Sequence, residues 1–169
     1  MADNLTIRDA TERDVENIYK IHTAAIRARC STHYSTEDVN VWVARQDKEK
    51  YLPFIKAHEI TVAERGEGGE ILGFGHLTCD TNGSTDGTAM QIRGLFVDPD
   101  CGVKGVGSAL VKDLEKRAKD FGKTGCLIVH SSLNAVEFYK KCGFIPLELT
   151  THQMSEQSCL QCHKMMKKL

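Results

Sequence analysis

The spacing of apolar residues changes along the chain, and each change predicts a different kind of element. The segment 5–8 alternates apolar and polar residues, which predicts a short strand. Apolar residues then recur every three or four positions behind Thr11 and again behind Ser35 or Thr36, which predicts two helices, and a short third helix follows over 47–58. The period next falls to two, which predicts strands over 59–64, 70–79 and 89–97.

The C-terminal half predicts two further helices among additional strands. The glycine-rich connections 65–69 and 80–87 suit antiparallel hairpins between the three middle strands. An amphipathic helix then follows a cluster of glycines, with a predicted inward stripe of Leu110, Leu114, Ala118 and Phe121. The rest of the chain predicts a strand, a helix and two strands, over 126–131, 134–143, 144–152 and 158–166.

This order of elements predicts the fold class. Written out, it is β-α-α-β-β-β-α-β-α-β-β, with the short third helix before the second strand. Mixed helices and strands without an internal repeat or a linker indicate one mixed α/β sheet with helices on its faces. We therefore predict a single domain over residues 1–169.

Composition narrows the possible partners and the compartment. The 169 residues are 41% hydrophobic with a formal net charge of -1, which is typical of a globular domain and not of a nucleic-acid-binding surface. No apolar run reaches the roughly 20 residues of a membrane span, and the polar N-terminus lacks the apolar region of a secretory signal. Seven cysteines, an odd number, fit reduced thiols. We therefore predict a cytoplasmic protein that binds neither nucleic acid nor membrane.

Three glycines, Gly102, Gly105 and Gly107, stand at the entrance to the amphipathic helix. Glycine destabilises a helix by roughly 1 kcal/mol relative to alanine, so helix formation does not explain them. A helix N-terminus offers unpaired N–H groups and a positive dipole end, and glycine lets a phosphate approach them closely. A Walker A loop does not fit, because Lys104 precedes Gly105. A dinucleotide fingerprint fits poorly, because it wants a further glycine near Leu110 and an acidic residue about 20 positions later.

Two segments together resemble the GNAT superfamily of N-acetyltransferases. The segment LFVDPDCGVKGVGSALV (95–111) is similar to the family's coenzyme A loop, whose pattern is Gln or Arg, two residues, Gly, any residue, then Gly or Ala. The segment HSSLNAVEFYKKCGF (130–144) is similar to the family form SLNAxxFYxxxGF. The region 25–42 resembles the two-helix region of one GNAT branch, so the resemblance covers nearly the entire chain. Gly102 replaces the family's Gln or Arg, which predicts weaker coenzyme A binding or a less rigid loop.

The resemblance implies the GNAT acyl-CoA N-acyltransferase fold with acetyl-CoA as co-substrate. The backbone of Leu95, Phe96 and Val97 would pair with the pantetheine arm as an added strand does. A bulge at Gly94 would splay this strand from the segment 126–131 and open a slot for the thioester. The diphosphate would bind the loop formed by Gly102, Val103, Lys104, Gly105, Val106, Gly107 and Ser108.

Three further residues are assigned to the cofactor by the same resemblance. Ser132 stands at the position often held by an Asn that contacts coenzyme A. Asn134, two residues later, either substitutes for that Asn or caps the next helix. Phe138 belongs to the second motif and is counted with the cofactor-binding residues.

Tyr139 is the predicted catalytic residue, because the matching Tyr in the family protonates the departing thiolate. A phenol with a pKa of about 10 is a sensible acid for a sulfur of similar basicity. The alternative is that Tyr139 only packs beside Phe138. The general base stays unassigned: His130 has a suitable ordinary pKa of about 6.5, His76 and Glu59 are weaker candidates, and a water chain or an already neutral amine would also suffice.

The acceptor is predicted to be a primary amine on a small molecule or a peptide. Tyr34 and Trp42 would line its pocket, although Trp42 equally suits a core position beside Val39. Arg93 would meet an acceptor carboxylate or form an ion pair within the protein. His130 is the fourth candidate for the acceptor site.

Several alternatives stay open. A catalytically weak coenzyme A sensor or interaction module on the same fold is the second functional class. The final hairpin offers an edge for a possible homodimer. The segment 159–163, CLQCH, spells a c-type haem attachment site, and Cys159 and Cys162 with Cys30 and His33 make a conceivable zinc set. Since an apparent strand without an export signal fits neither well, we predict no metal.

Overall fold

The computed structural model describes residues 4–79, 89–122 and 125–169 of the chain. The predicted order of elements is confirmed in these ranges. The strands are β1 (Leu5–Asp9), β2 (Ile60–Arg65), β3 (Ile71–Cys79), β4 (Ala89–Val97), β5 (Cys126–Ser132), β6 (Ile145–Gln153) and β7 (Cys159–Lys168). The helices are α1 (Val15–Arg29), α2 (Thr36–Ala44), α3 (Tyr51–Lys56), α4 (Val106–Asp120) and α5 (Val136–Lys141). The predicted hairpin connection 80–87 lies outside the described residues.

All seven strands form one mixed sheet, as predicted. Their order is β1-β2-β3-β4-β5-β7-β6. Every neighbouring pair is antiparallel except β4 and β5, which run parallel. The crossover between these two parallel strands contains α4, as a parallel connection requires.

The two faces of the sheet carry different helices. On one face, Leu77, Ile92 and Val129 pack in a cluster with Val111 and Leu114 of α4. Tyr139 and Phe144 belong to the same cluster, so α5 lies on this face as well. On the other face, Ile60, Val62 and Phe74 pack against Ile18 and Ile21 of α1 and against Tyr51 and Ile55 of α3. Because side chains alternate along a strand, β3 sends Leu77 to the first cluster and Phe74 to the second.

One predicted core position is wrong. Leu110, Leu114 and Ala118 of the α4 stripe are fully buried, but Phe121 is 65% exposed. The helix ends at Asp120, so Phe121 lies one residue past the end of the helix, near the strand residues Cys79 and Met90. The periodic pattern of apolar residues includes Phe121 because the sequence alone does not show where the helix stops packing on the sheet.

The outer strand β6 exposes a row of apolar side chains. Ile145, Leu147 and Leu149 are 55%, 48% and 54% exposed, and a register shift between Pro146 and Glu148 places Leu147 at a bulge of the β6–β7 pairing. The row lies on an edge of the sheet, where strand pairing is open to a second chain. Among the described residues, no helix combines the length and apolar character needed to cross a membrane. The cytoplasmic location stays a prediction.

Candidate active site

Strands β4 and β5 separate in the middle of the sheet, which is confirmed by their register. Their pairing runs from Ala89 opposite Cys126 to Ile92 opposite Val129, and the described residues form no β4–β5 pair beyond it. On its other side β4 stays paired with β3, but His76 faces Gly94 while the next residue, Leu77, faces Ile92. Arg93 is therefore the extra residue of a β-bulge beside Gly94. The β5-facing backbone of Leu95–Val97 is left outside the sheet ladder.

The glycine loop follows directly on this part of β4. Gly102 and Gly105 have φ angles of +63° and +83°, in the left-handed region that favours glycine. Gly105 is the N-cap of α4, and its carbonyl oxygen accepts the first helical bond, from the amide of Ala109. The amides of Val106, Gly107 and Ser108 consequently have no partner inside the helix, and they lie at the positive end of its dipole.

The backbone conformation at Gly102 also explains why a glycine stands here in place of the family's Gln or Arg. A Gln or Arg would be strained at this φ, and a glycine is not. The loop has therefore adopted a local conformation that the family side chain would disfavour.

Gly107 serves a different purpose from its two neighbours, because its φ is not positive. A Cβ atom built on Gly107 would lie 3.0 Å from Cζ and 3.1 Å from Cε2 of Phe138. The same Cβ would lie 3.7 Å from a methyl carbon of Val97. The two sequence motifs thus meet at Gly107, where the ring of Phe138 packs on the first turn of α4.

A groove with a volume of about 880 Å³ opens where β4 and β5 separate. Four of the residues predicted for the acceptor site line it: Tyr34, Trp42, Arg93 and His130. Four residues predicted for the cofactor or the chemistry also line it: Leu95, Phe96, Ser132 and Tyr139. Val97, the loop 102–108, Asn134 and Phe138 do not line this central groove. They lie along β4 and at the start of α4 and α5.

Tyr139 is buried at the side of the groove nearest α5. It is 4% exposed, and its ring makes edge-to-face contacts with Phe138 and Phe144, at centroid distances of 5.1 and 5.4 Å. Burial raises the pKa of the Tyr139 phenol above its ordinary value, so the hydroxyl stays protonated at neutral pH. The ring of Tyr139 therefore packs beside Phe138, as the alternative states. Tyr139 also lines the groove, where the predicted chemistry would take place.

Tyr34 and Trp42 form one wall of the groove. Their rings meet edge to face at 5.9 Å, and Trp42 also packs against the buried Val39 and Val43. The Tyr34 hydroxyl donates to the carbonyl oxygen of Gln161 and accepts from the amide of Leu133 at 3.0 Å. Burial raises the pKa of Tyr34 to about 12. Since both hydrogen-bonding roles of its hydroxyl are occupied, Tyr34 supports the wall and is unsuited to proton transfer.

Sequence reasoning missed a half-buried histidine at the base of the groove. Helical spacing places His22 on the inward stripe of α1, but it lines the groove, and its Nδ1 lies 2.8 Å from the hydroxyl of Tyr51. Its ring also contacts Phe74 and Phe96, at centroid distances of 5.5 and 4.2 Å. A polar residue inside an apolar helical stripe was the only sequence signal. Burial and then the charge of Lys50 lower the pKa of His22 to about 3.

The lowered pKa of His22 predicts an acid-dependent loss of stability. The unfolded chain binds the proton at about pH 6.5, whereas the folded protein resists it down to about pH 3, so the stabilisation is complete above 6.5 and is lost as pH falls. We expect His22→Gln to reduce the loss of unfolding free energy between pH 6.5 and 5 by about 1.5 kcal/mol. Urea unfolding at pH 5, 6.5 and 8 measures this difference. The same change at the exposed His33 is the control, and an identical slope in both variants would contradict the prediction.

Asn134 has an unsatisfied polar atom beside the loop of the second motif. Its Oδ1 is buried and has no hydrogen-bond partner among the described residues. A buried acceptor without a partner costs about 1–3 kcal/mol, which a bound donor would recover. Asn134 lies in the turn between β5 and α5, two residues after Ser132, and it does not cap α5, whose N-cap is Ala135.

The CLQCH segment is an ordinary strand in the structure. Cys159 and Cys162 both lie in β7, and Cys159 is exposed while Cys162 is buried. Side chains three positions apart on a strand point to opposite faces, which does not suit a chelating pair. The Cys162 sulfur lies 3.1 Å from the hydroxyl of Thr150. Across the described ranges, no group of three or more His, Cys, Asp or Glu side chains is arranged to hold a metal ion.

The family model for the acetyltransferase (GNAT) domain matches residues 30–169. This match spans both motifs, the splayed strands and most of the groove.

The chain belongs to the GNAT acetyltransferase family.

Relatives and solved structures agree with this assignment of the GNAT chain. The uncharacterized N-acetyltransferase YafP of Escherichia coli K12 is 26% identical over 141 residues, which is 83% of this chain and 81% of that protein. An uncharacterized N-acetyltransferase of Methanocaldococcus jannaschii is 27% identical over 151 residues, and the match covers 82% of this chain and 60% of that protein.

Two solved structures share the fold over nearly the whole length. A GCN5-related N-acetyltransferase of Rhodopseudomonas palustris is 26% identical with a TM-score of 0.82, covering 100% of this chain and 98% of that one. The PaiA N-acetyltransferase of Thermoplasma acidophilum, solved with coenzyme A, is 21% identical with a TM-score of 0.77, covering 98% and 99%. The predicted family, fold and acyltransferase class are confirmed. The coenzyme A bound to the second structure agrees with the predicted co-substrate.

Proposed function

We propose that residues 1–169 form a single domain that transfers the acetyl group of acetyl-CoA to a primary amine by direct attack. The observation that carries this proposal is the splay of β4 from β5. It leaves the β5-facing side of the Leu95–Val97 backbone without a strand partner, while the other side stays paired with β3, beside a groove that opens toward α1 and α2. Unpaired strand backbone next to a cavity accepts an extended amide-bearing ligand, and the pantetheine arm of coenzyme A is one.

The residues present fit acetyl-CoA at two points along its length, the diphosphate and the pantetheine arm. The amides of Val106, Gly107 and Ser108 suit the diphosphate, because they point outward at a helix N-terminus that Gly105 opens. The unsatisfied Oδ1 of Asn134 offers an acceptor to a pantetheine amide. Acetyl-CoA, when bound, supplies an acetyl thioester, and the chain supplies the groups that bind and orient it.

Tyr139 is the residue that assists the departing sulfur in this proposal, and its burial determines whether it transfers its proton or only donates a hydrogen bond. Because its pKa is raised above that of an ordinary phenol, complete transfer of its proton to a thiolate of ordinary basicity is uphill. A hydrogen bond from the hydroxyl to the departing sulfur stabilises the negative charge without that cost. Tyr139 therefore donates a hydrogen bond to the sulfur as the carbon–sulfur bond breaks, and the released thiolate takes up a proton from water afterwards.

The attacking amine must be neutral and must lose a proton after attack. His22 and His76 line the groove, but burial lowers their pKa to about 3 and about 4, so they are poor proton acceptors at neutral pH. Of the histidines in the groove wall, we propose His130 for this step. It lies at the end of β5 opposite the splay, with its Nδ1 3.2 Å from Nε2 of Gln91.

The test is release of free thiol from acetyl-CoA in the presence of a panel of primary amines. Amine-dependent release, with the acetylated amine identified by mass spectrometry, is the expected result. Saturable binding of acetyl-CoA without amine-dependent release would instead favour the coenzyme A sensor. Absence of acetyl-CoA binding at millimolar concentration would exclude both functions.

We also propose that two copies associate through β6. Its exposed row of Ile145, Leu147 and Leu149 lies on a free sheet edge, so a second copy of the same strand would cover apolar surface on both chains. We expect sedimentation velocity to give a dimer mass at micromolar protein. We expect Leu147→Lys to give a monomer, because a charge would then lie in the centre of the row. A monomeric wild-type protein would contradict this.

A further inference from the structure

The lining of the central groove carries positive charge without a matching negative charge. Its cationic side chains are Arg45, Lys50, Arg93 and Lys164. Among the described residues that line it, none is an aspartate or a glutamate. The whole chain, by contrast, holds 22 Lys and Arg against 23 Asp and Glu, so the imbalance is specific to the groove.

Arg93 is the cation nearest the splay, because it is the bulged residue of β4. Its guanidinium stacks on the ring of Phe54 at 5.3 Å, which orients the side chain without neutralising it. Within the described part of the chain, no carboxylate lies at ion-pair distance from Arg93, Arg45, Lys50 or Lys164. Glu59 approaches His76, at 3.8 Å, and is not part of the groove lining.

Three of these cations influence histidines of the same groove. Beyond the effect of burial, Lys50 lowers the pKa of His22, and Arg45 lowers that of His152. Arg93 likewise lowers the pKa of His76, against the opposing effect of Glu59. These three histidines are therefore neutral at neutral pH, and the charges that act on them come from lysine and arginine. Each of the three cations therefore acts on a different histidine of the groove lining.

These cations are separate from the diphosphate site. Arg45 and Lys50 follow α2 and precede α3, and Arg93 packs on Phe54 of α3, so these three lie on the α1–α3 face of the sheet. The loop 102–108 leads into α4, which packs on the opposite face. A second, different anion is therefore the natural partner of the groove charges.

We propose that the amine acceptor carries a carboxylate, which binds Arg93 in the field of Arg45, Lys50 and Lys164. This inference rests on the proposed acetyl transfer and names its acceptor class. The planar guanidinium binds a carboxylate through two parallel hydrogen bonds, and the stacked Phe54 holds it in place for this. The same field repels an acceptor with several positive charges, so polyamines are excluded.

The test compares matched acceptors in the thiol-release assay. The panel contains the common L-amino acids and β-alanine, the carboxamide of each, and spermidine. We expect kcat/KM for the preferred acid to exceed that for its carboxamide at least about tenfold, because the carboxamide lacks the charge that Arg93 recognises. Raising the salt from 50 to 500 mM should reduce this ratio.

Arg93→Gln should bring the ratio of acid to carboxamide close to one, chiefly by raising KM for the acid. Arg93→Lys should restore part of the preference. Arg27→Gln, the same change at an exposed α1 residue outside the groove lining, is the control and should keep the wild-type ratio.

Failure of this inference and failure of the proposed function have different signatures. Turnover with carboxamides or spermidine as good as with acids would overturn the carboxylate assignment and leave acetyl transfer intact. An acid preference that survives in Arg93→Gln would overturn the role of Arg93. Saturable acetyl-CoA binding with no release for any member of the panel would count against the proposed function itself.

Discussion

Gly105→Val should raise the dissociation constant for coenzyme A at least about tenfold, which is a loss of about 1.4 kcal/mol of binding free energy. Gly105 has a φ of +83°, and no atom lies within 4 Å of the position that a Cβ would take, so strain and not a clash is the cause. A β-branched residue in the left-handed region costs about 1–3 kcal/mol, and the loop relieves that strain by rotating the amides that hold the diphosphate. Isothermal titration with coenzyme A measures the change.

Gly68→Val is the matched control for this experiment. Gly68 lies between β2 and β3, has a φ of +70°, and likewise has open space where a Cβ would stand. Both variants should lose a similar amount of thermal stability, but only Gly105→Val should lose coenzyme A affinity. Equal affinities in the two variants would mean that the diphosphate binds elsewhere.

Tyr139→Phe should lower kcat about 10²- to 10³-fold, the usual range for removing one hydrogen-bond donor that stabilises developing negative charge, and leave the dissociation constant for acetyl-CoA unchanged. The substitution removes only the hydroxyl, and the ring keeps its contacts with Phe138 and Phe144. Steady-state thiol release gives kcat, and titration gives the binding constant. In the wild type, because the pKa of Tyr139 is raised, kcat should show no loss from this group as pH rises to about 10.

Tyr19→Phe provides the control for the loss of a phenol. Tyr19 lies on α1, is half-buried, and is not part of the groove lining. Its variant should keep the wild-type kcat. If Tyr139→Phe released thiol as fast as Tyr19→Phe, then Tyr139 would serve packing alone, and the hydrogen bond to sulfur would come from another residue.

The glycines show how far local sequence reasoning extends. The cluster at Gly102, Gly105 and Gly107 predicted an anion-binding helix entrance, and bare backbone is required at all three positions. Their reasons differ, however: the first two adopt a positive φ, whereas Gly107 makes room for Phe138. A positive φ is a local property that glycine clusters signal well. The contact with Phe138 joins positions 31 residues apart, and no local pattern contains it.

The acceptor groove was predictable only in part. Tyr34, Trp42, Arg93 and His130 were predicted from the resemblance and from their residue types, and all four line the groove. His22 fits the core stripe of α1 by its spacing, and Lys50 and Lys164 carry no local signal, because isolated polar residues in amphipathic segments are usually solvated. His22, Lys50 and Lys164 line the same groove only because α1, the segment before α3, and β7 come together around it in the fold.

By itself, the sequence determined the order of helices and strands, the family, and the loop that opens α4. These follow from periodicity, from glycine's conformational freedom and from motifs, all of which act between residues close in the chain. Only the tertiary structure decided that Phe121 is exposed, that Phe138 rests on Gly107, and that four cations without carboxylate partners among the described residues share the groove. Burial and electrostatic potential depend on which distant segments pack together, and the field of a charge is determined by distance in space, not by distance along the chain.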